Sequence, residues 1–324
     1  MSFILAIPSK GRLQEQALVY FADCGLALRQ EGAARLYSAR IAALPGVEVR
    51  MLSASEIARA LRAGEIHVGV VGEDGLREAD QGLTRTILVK PLGFGYADLV
   101  VAVPQSWLDV TGMRDLVEVA ALHRARTGER LRFATKYLHQ AQSFLDAQGV
   151  ADYRLVESLG ATEGAPAAGA AEAVIDITTT GQTLAANHLR ALSDGVILKS
   201  QAHLAASRAA AWDEGAHADF ARLLDIIEAR GRAKATRLLR VAPGPEGADP
   251  MIARANELGC RLASAAEGAL LELYCPAEKV FAVCATLQNL FGGAIGVFEA
   301  DFLFERPNAT HDAFRAAFYR SGLS

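Results

Sequence analysis

The segment VGVVGEDGL, residues 68–76, carries the pattern that decides the fold. Its first four residues combine apolar side chains with a glycine and present no polar face, as in a strand that is covered by helices on both sides. The run LVVAV at Leu99–Val103 has the same character, and short β-type runs alternate with helical stretches from Ile4 onwards. This alternation predicts a doubly wound α/β sheet, in which ligands bind at the carboxyl ends of the strands.

The alternation restarts after Pro104 and predicts a second α/β unit. The predicted elements are helices at 113–126 and 137–148 and strands at 131–135, 153–157, 174–178 and 195–200. A long amphipathic helix is then expected to run to about Arg230. We expect two lobes that exchange strands and enclose a cleft: residues 1–104 and 190–231 in the first lobe, and residues 105–189 in the second.

Residues 232–324 predict a third unit with the order βαββαβ, the ferredoxin-like split motif of an α+β domain. The predicted elements are strands at 236–241, 261–264, 269–274 and 297–304, helices at 250–258 and 277–290, and a turn at 267–268. The last 20 residues are expected to form a loose tail or an extra helix.

Composition excludes several classes of protein. With 324 residues, of which 51% are apolar and 22% charged, disorder and fibrous folds are ruled out and two or three domains are expected. A net charge of −4 provides no basic field for nucleic acid or an anionic membrane. No apolar run approaches a membrane span and no signal peptide is recognisable, so we expect a soluble, cytoplasmic protein. The four cysteines lack CxxC spacing and predict buried thiols.

The segment VIDITTTGQT, Val174–Thr183, predicts a phosphoribosyl site. It has a strand, an acid at its end, and a hydroxyl-rich loop that opens a helix, where backbone N–H groups and hydroxyls favour an anion. Asp176 would accept hydrogen bonds from the ribose hydroxyls. The alternative is an ordinary helix capped by threonine. The loop residues are Thr178, Thr179, Thr180, Gly181, Gln182 and Thr183.

Cations follow two other predicted strands. Lys10 and Arg12 flank Gly11 just after the first strand, and Lys136 follows LRFAT in the second lobe. Cations at these strand ends would face one another across the cleft and neutralise a polyphosphate, which Arg does in bidentate fashion. A solvated surface turn is the alternative interpretation of the Lys10–Arg12 segment.

Acidic residues end two further strands. Glu73 and Asp74 follow VGVV, where they would organise a metal-bound pyrophosphate or a sugar, or cap the next helix. The loop SLGATEGAP, Ser158–Pro166, carries Glu163 at a predicted helix start. This second loop would line the same pocket as Asp176 or form only a capped turn.

Seven segments together resemble the ATP phosphoribosyltransferases, which catalyse the first step of histidine biosynthesis. They are IPSKGRL (7–13), SASEIA (53–58), GEDGL (72–76), LGFGYADLVVAVP (92–104), ATKY (134–137), VESLGATEGAP (156–166) and VIDITTTGQTLAANHL (174–189). The resemblance spans about residues 1–210, in order and at coherent spacing.

The resemblance implies a two-lobed catalytic part of the periplasmic-binding-protein type (type II) that joins ATP to 5-phosphoribosyl 1-pyrophosphate with Mg²⁺. It places the ribose at Asp176, the 5-phosphate in the threonine loop and the polyphosphates at Lys10 and Arg12. Glu163 is a candidate for the Mg²⁺-bound diol or for polarising a substrate hydroxyl, with Asp176 as a second possible metal ligand. Asp176, Arg12 and Glu163 are the candidate catalytic residues. Further candidate substrate-binding residues are Gly11, Ser53, Glu73, Asp74, Lys136, Glu157, Gly160, Thr178 and Gln182.

The family has two forms, and this sequence shares features with both. Its lobes resemble the short form, which works with a separate regulatory subunit similar to histidyl-tRNA synthetase. The βαββαβ extension is similar to the regulatory domain of the long form, although APGPEGADP (242–250) replaces its usual proline-threonine turn. We therefore expect a homo-oligomer, dimer or hexamer, inhibited by L-histidine, or an extension that only joins subunits. The alternative function is a two-lobed binding or sensor module without catalysis.

Overall fold

A computed structural model of the protein describes residues 2–30, 38–242, 247–264 and 270–320. The strands are β1 (Phe3–Pro8), β2 (Leu28–Gln30), β3 (Ser38–Ile41), β4 (Val47–Leu52), β5 (Val68–Gly72), β6 (Thr86–Pro91), β7 (Ala97–Pro104), β8 (Leu131–Thr135), β9 (Tyr153–Glu157), β10 (Ala173–Thr178), β11 (Leu189–Ser200), β12 (Ala202–Ser207), β13 (Thr236–Val241), β14 (Arg261–Ser264), β15 (Leu271–Pro276) and β16 (Ile295–Phe298).

The helices are α1 (Gly11–Asp23), α2 (Ala54–Ala63), α3 (Glu73–Ala79), α4 (Met113–Thr127), α5 (Leu138–Ala147), α6 (Gln182–Ala186), α7 (Glu214–Ala235), α8 (Asp249–Glu257), α9 (Val280–Phe291) and α10 (Ala309–Arg320). Within the described ranges, no helix has both the length and the apolar character needed to cross a bilayer.

The first lobe is built on a seven-stranded sheet with the order β2-β3-β4-β1-β5-β12-β6. Strand β1 pairs in parallel with β4 and β5, as the predicted α/β alternation requires. Apolar residues cover both faces of this sheet and form two clusters, one under α1 and α7 and one under α2 and α3. The carboxyl ends of β1 and β5 therefore meet at one edge, where α1 and α3 begin.

The prediction that a long helix follows Ser200 directly is wrong, because strand β12 comes first. The segment AHLAAS, Ala202–Ser207, is entirely buried and pairs antiparallel with β5 and β6, and α7 begins only at Glu214. Alanine favours helices in isolation, but a buried central strand has room for small side chains, and here packing outweighs the local preference.

The second lobe is a five-stranded sheet with the order β11-β7-β10-β8-β9. Residues 97–104 (β7) and 190–200 (in β11) were predicted to belong to the first lobe. In the structure β7 and β11 pair with each other in the second sheet, and β7 also pairs with β10. The chain therefore passes between lobes at residues 92–96 and at Gln201, not at 104 and 190. Strands that are apolar on both faces fit either sheet equally well, so their pattern does not indicate which one they join.

The third sheet is antiparallel throughout, with the order β14-β15-β13-β16. Helices α8 and α9 contribute Met251, Val283 and Leu287 to its core. Strand β16 ends at Phe298, whereas the sequence predicted a strand over 297–304. The predicted turn at 267–268 lies outside the described residues.

The C-terminal helix α10 packs on the first lobe, not on the third sheet. Phe314 is 2% exposed, and its ring centroid lies 4.8 Å from that of Phe220 and 5.4 Å from that of Trp212. The approach to α10 is fixed by the Leu303 N–H, which donates to the Ala229 carbonyl at 2.9 Å. Residues 232–324, predicted as one unit, are thus divided between the third sheet and the first lobe.

Candidate active site

Two adjoining cavities lie at the edge where the two lobes meet. The larger, about 560 Å³, receives Arg12, Asp74 and Glu78 from the first lobe and Lys136 and Tyr137 from the second. The smaller, about 310 Å³, is lined by residues of the threonine loop. Both cavities share the side chains of Arg12, Ala97, Ile177 and Thr179 as a common wall.

The threonine loop follows β10 and is held in shape by its own hydroxyls. Gly181 has a left-handed φ of 73° and donates its N–H to Thr178 Oγ1 at 2.9 Å. Thr179 Oγ1 donates to the Tyr96 carbonyl at 3.2 Å. This bond joins the loop to residues 92–96, where the chain passes between the lobes. The side chains that line the smaller cavity from this loop are Thr178, Thr179, Thr180, Gln182 and Thr183.

The helix after this loop is short. Helix α6 has only five residues, so its dipole adds little to anion binding. Any anion in the smaller cavity would depend on the threonine hydroxyls, the loop N–H groups and the Arg12 guanidinium.

Asp176 lies in β10 at the base of the loop, with Oδ1 accepting the Ile177 N–H at 2.8 Å. Burial raises the pKa of its carboxyl, and the charges of Glu163 and Asp74 raise it further, while the Ile177 N–H and Lys136 oppose the shift. The charged form of Asp176 is thus held among other acids in a partly dry site. Hydroxyl donors or a cation at this position would relieve that cost.

Asp74 links the two lobes at the floor of the larger cavity. Its Oδ2 accepts the Tyr137 hydroxyl at 2.6 Å and its Oδ1 accepts the Ser200 hydroxyl at 2.8 Å. Burial and the charge of Asp74 raise the pKa of Tyr137, so this phenol stays protonated and donates. The neighbouring Glu73, by contrast, pairs with Arg77 at 2.7 Å and lines neither cavity.

The predicted cations reach the site unequally. Arg12 is exposed in the first turn of α1 and borders both cavities. Lys136 lines the larger cavity from the second lobe, with Nζ 4.9 Å from the centroid of the Tyr137 ring. Lys10 and Gly11 precede Arg12 at the start of α1 and line neither cavity; the charge of Lys10 acts on Glu56 instead.

Several predicted residues lie beside the cavities without lining them. Ser53 caps α2, accepting the Glu56 N–H at 3.3 Å, while its neighbour Ser55 reaches the larger cavity. Glu157, the last residue of β9, and Gly160 in the following loop are exposed, and between them only Leu159 lines the larger cavity. Glu163 lies in a short 3-10 turn, Thr162–Gly164, from which its charge acts on Asp176.

Four residues at the site were not predicted from the sequence: Tyr137, Glu78, Ser200 and Tyr96. Tyr137 was within reach, because it directly follows Lys136 in the segment ATKY. Glu78 had no local signal, since its partners His139 and Gln140 lie 61 and 62 residues further along the chain.

The described residues contain no group of three His, Cys, Asp or Glu side chains placed to hold a metal ion. Mg²⁺ keeps several waters and is commonly held by one or two carboxylates together with substrate phosphates. Asp176 and Glu163 fit that pattern, since the charge of Glu163 adds to the raised pKa of Asp176 and a cation at Asp176 would offset it.

Known proteins with related sequences cover nearly the whole chain. A family model described as ATP phosphoribosyltransferase (HisG) matches residues 53–229. The chain is 50% identical over 316 residues to an ATP phosphoribosyltransferase of Caulobacter vibrioides (strain NA1000 / CB15N), covering 97% of each chain. It is 46% identical over 315 residues to that of Nitrobacter winogradskyi, covering 95% of each chain.

A solved structure shares the fold of much of this chain. A chain of the ATP phosphoribosyl transferase (HisG:HisZ) complex from Thermotoga maritima is similar with a TM-score of 0.51 and 25% sequence identity. The match covers 98% of that chain but only 70% of this one. Nearly a third of the present chain therefore lies outside the matched fold.

Proposed function

This chain belongs to the ATP phosphoribosyltransferase family, and from that premise we propose how its own residues bind the two substrates. The reaction joins ATP to 5-phosphoribosyl 1-pyrophosphate, gives N1-(5-phosphoribosyl)-ATP and pyrophosphate, and is the first step of histidine biosynthesis. The resemblance drawn from the sequence motifs is thereby confirmed.

The observation that carries the proposal is the shared wall of the two cavities. The smaller cavity takes the 5-phosphate among the threonine hydroxyls. Asp176 lies in β10 just before the threonine loop and lines neither cavity; we place the ribose hydroxyls against its carboxylate. The larger cavity takes ATP. Since Arg12 borders both, ribose C1 and its pyrophosphate would lie beside the Arg12 guanidinium, where the two substrates meet.

The chemistry asks the protein for placement and charge, not for a nucleophile. The lone pair of adenine N1 forms the bond to ribose C1 while the C1–O bond breaks and its electrons leave with pyrophosphate. Positive charge develops on the ribose and negative charge on the leaving group. Asp176 would stabilise the first, and Arg12 and Lys136 would stabilise the second.

We propose that the metal ion of the reaction is Mg²⁺. The substrate phosphates would hold most of its coordination sites, and Asp176 and Glu163 would be its protein ligands. When bound, the ion neutralises pyrophosphate charge. Asp176→Asn and Glu163→Gln should each lower the affinity for Mg²⁺. Binding of phosphoribosyl pyrophosphate should then need more Mg²⁺, and turnover should fall as well.

An absorbance assay for phosphoribosyl-ATP tests the substrate assignment against a binding module without catalysis. The assay contains ATP, phosphoribosyl pyrophosphate and Mg²⁺. Product is expected at millimolar substrate. Absence of product, with and without a regulatory partner, would leave only the binding function.

Cytoplasmic location stays a prediction from the sequence.

Arg12→Ala is expected to raise the KM for phosphoribosyl pyrophosphate about tenfold, because a charge-assisted contact is worth roughly 1.5–3 kcal/mol. Melting temperature should hardly change, since the side chain is exposed. Arg126→Ala, which removes an exposed arginine from α4, is the matched control. A lowered melting temperature with intact kinetics would make Arg12 a structural residue.

We further propose that the third sheet with α8 and α9 is a ferredoxin-like regulatory domain that binds L-histidine. Support comes from its βαββαβ order and from the Thermotoga chain, which is matched over 98% of its length by only 70% of this chain. The domain would also join subunits in a homo-oligomer, dimer or hexamer. We add a histidyl-tRNA-synthetase-like regulatory subunit as a second candidate partner; the Thermotoga protein forms a HisG:HisZ complex.

Millimolar L-histidine is expected to inhibit the full chain, with a coupling of about 1–3 kcal/mol between the two sites. A simple truncation before Thr236 would also remove α10 and damage the first lobe. Replacing residues 236–298 by a short glycine-rich linker avoids this, because Arg237 and Glu299 are joined by an ion pair of 2.8 Å and the ends are therefore close. L-histidine should not inhibit the variant that lacks residues 236–298. A full chain that L-histidine also fails to inhibit would contradict the regulatory role.

A further inference from the structure

Helix α5 of the second lobe begins without a cap of its own. Its N-cap residue is Tyr137, whose side chain makes no capping hydrogen bond. The Tyr137 hydroxyl donates to Asp74 of the first lobe instead. The first N–H groups of a helix have no partners within the helix, so those of α5 need acceptors from elsewhere.

Glu78, in the last turn of α3 in the first lobe, supplies those acceptors. The His139 N–H donates to Glu78 Oε1 at 2.9 Å, and the Gln140 N–H donates to Oε2 at 3.2 Å. His139 and Gln140 are the second and third residues of α5, the positions that an N-cap side chain ordinarily serves. One carboxylate of the first lobe therefore caps a helix of the second.

Other contacts strengthen the same corner. Gln140 Nε2 donates to the Asp74 carbonyl at 2.8 Å, and His139 Nδ1 lies 3.1 Å from Glu78 Oε1. The Glu78 side chain is only 17% exposed and lines the larger cavity. Separation of the lobes at this corner would break all of these contacts at once.

We propose that Glu78 is a positioning residue that holds the two lobes closed around the substrate cleft. By fixing the start of α5, it sets the places of Lys136 and Tyr137 relative to Asp74. The inference rests on the proposed binding of substrates in this cleft. A ligand that needs the closed form binds more weakly in proportion to the fraction of molecules that are closed.

Glu78→Gln tests the inference, because its amide oxygen accepts one N–H while its NH₂ group opposes the other. The KM for both substrates should rise about tenfold, whereas kcat should change less than about twofold, since saturating substrate restores the closed form. Glu65→Gln, an exposed glutamate of the same lobe, is the matched control and should leave both constants unchanged. Unchanged KM values, or a loss confined to kcat, would overturn the proposal.

Amide hydrogen exchange in the ligand-free protein provides a readout that is separate from catalysis. Exchange at His139 and Gln140 should accelerate about tenfold in Glu78→Gln, while amides in the middle of α4 keep their wild-type rates. Equal exchange rates in the two proteins would refute the capping role whatever the kinetics show. Accelerated exchange in Glu78→Gln, together with a wild-type chain that makes no phosphoribosyl-ATP, would instead refute the proposed function and leave the capping role intact.

Discussion

Asp176→Asn is expected to lower kcat/KM for phosphoribosyl pyrophosphate by roughly 10- to 150-fold, because charge-assisted hydrogen bonds to the ribose hydroxyls are worth about 1.5–3 kcal/mol. Asparagine keeps the volume of the side chain and removes its charge. Steady-state kinetics with saturating ATP measure the loss. Asp109→Asn, at an exposed aspartate of the same lobe, is the control and should be silent.

The same substitution should leave the melting temperature at neutral pH unchanged or raise it. Because the pKa of Asp176 is raised in the folded protein, the folded state binds more protons at this site than the unfolded state. The contribution of Asp176 to stability is therefore present at low pH and is lost as pH rises through the folded pKa. Asp176→Asn removes that dependence. Wild-type kinetics, or a collapse of stability at neutral pH, would contradict the assigned role.

Phe314→Ala should destabilise the protein by about 3–5 kcal/mol, because it empties a buried aromatic position. The ring of Phe314 fills the space between α7 and Trp212 in the first lobe. A lowering of the melting temperature by about 10 °C is expected, with activity lost on mild heating.

Phe281→Ala is the matched control for that prediction. Phe281 lies in α9 and is 88% exposed, so the same change of residue type removes almost no buried surface. Its melting temperature should stay within about 2 °C of the wild type. Equal effects of the two substitutions would mean that α10 does not stabilise the first lobe.

Much of the fold followed from the pattern of apolar residues. Four strands have the predicted bounds: Leu131–Thr135, Tyr153–Glu157, Thr236–Val241 and Arg261–Ser264. In these segments the local preference, the apolar pattern and the flanking turns all agree. Asp74, Lys136 and the threonine loop come near the ends of such strands, and for the same reason they lie at the cavities; their roles stay predictions.

The pattern failed where only distant parts of the chain decide the outcome. Ala202–Ser207 favours a helix by composition and becomes a strand because β5 and β6 leave a narrow, buried gap. The 97–104 strand is equally suited to both sheets. In the sequence, nothing distinguishes Glu78 from any other acidic residue on a helix surface. Its role depends on α5, whose backbone N–H groups donate to it.

The return of α10 to the first lobe has a consequence for synthesis on the ribosome. All five strands of the second sheet lie in one continuous stretch, residues 97–200. The second sheet can therefore form as soon as this stretch leaves the ribosome, although the first lobe starts earlier in the chain. The first lobe has to wait for β12, then α7, and last for Phe314. Its apolar surface is therefore exposed throughout translation, and the nascent first lobe, not the second, is the part that needs chaperone protection.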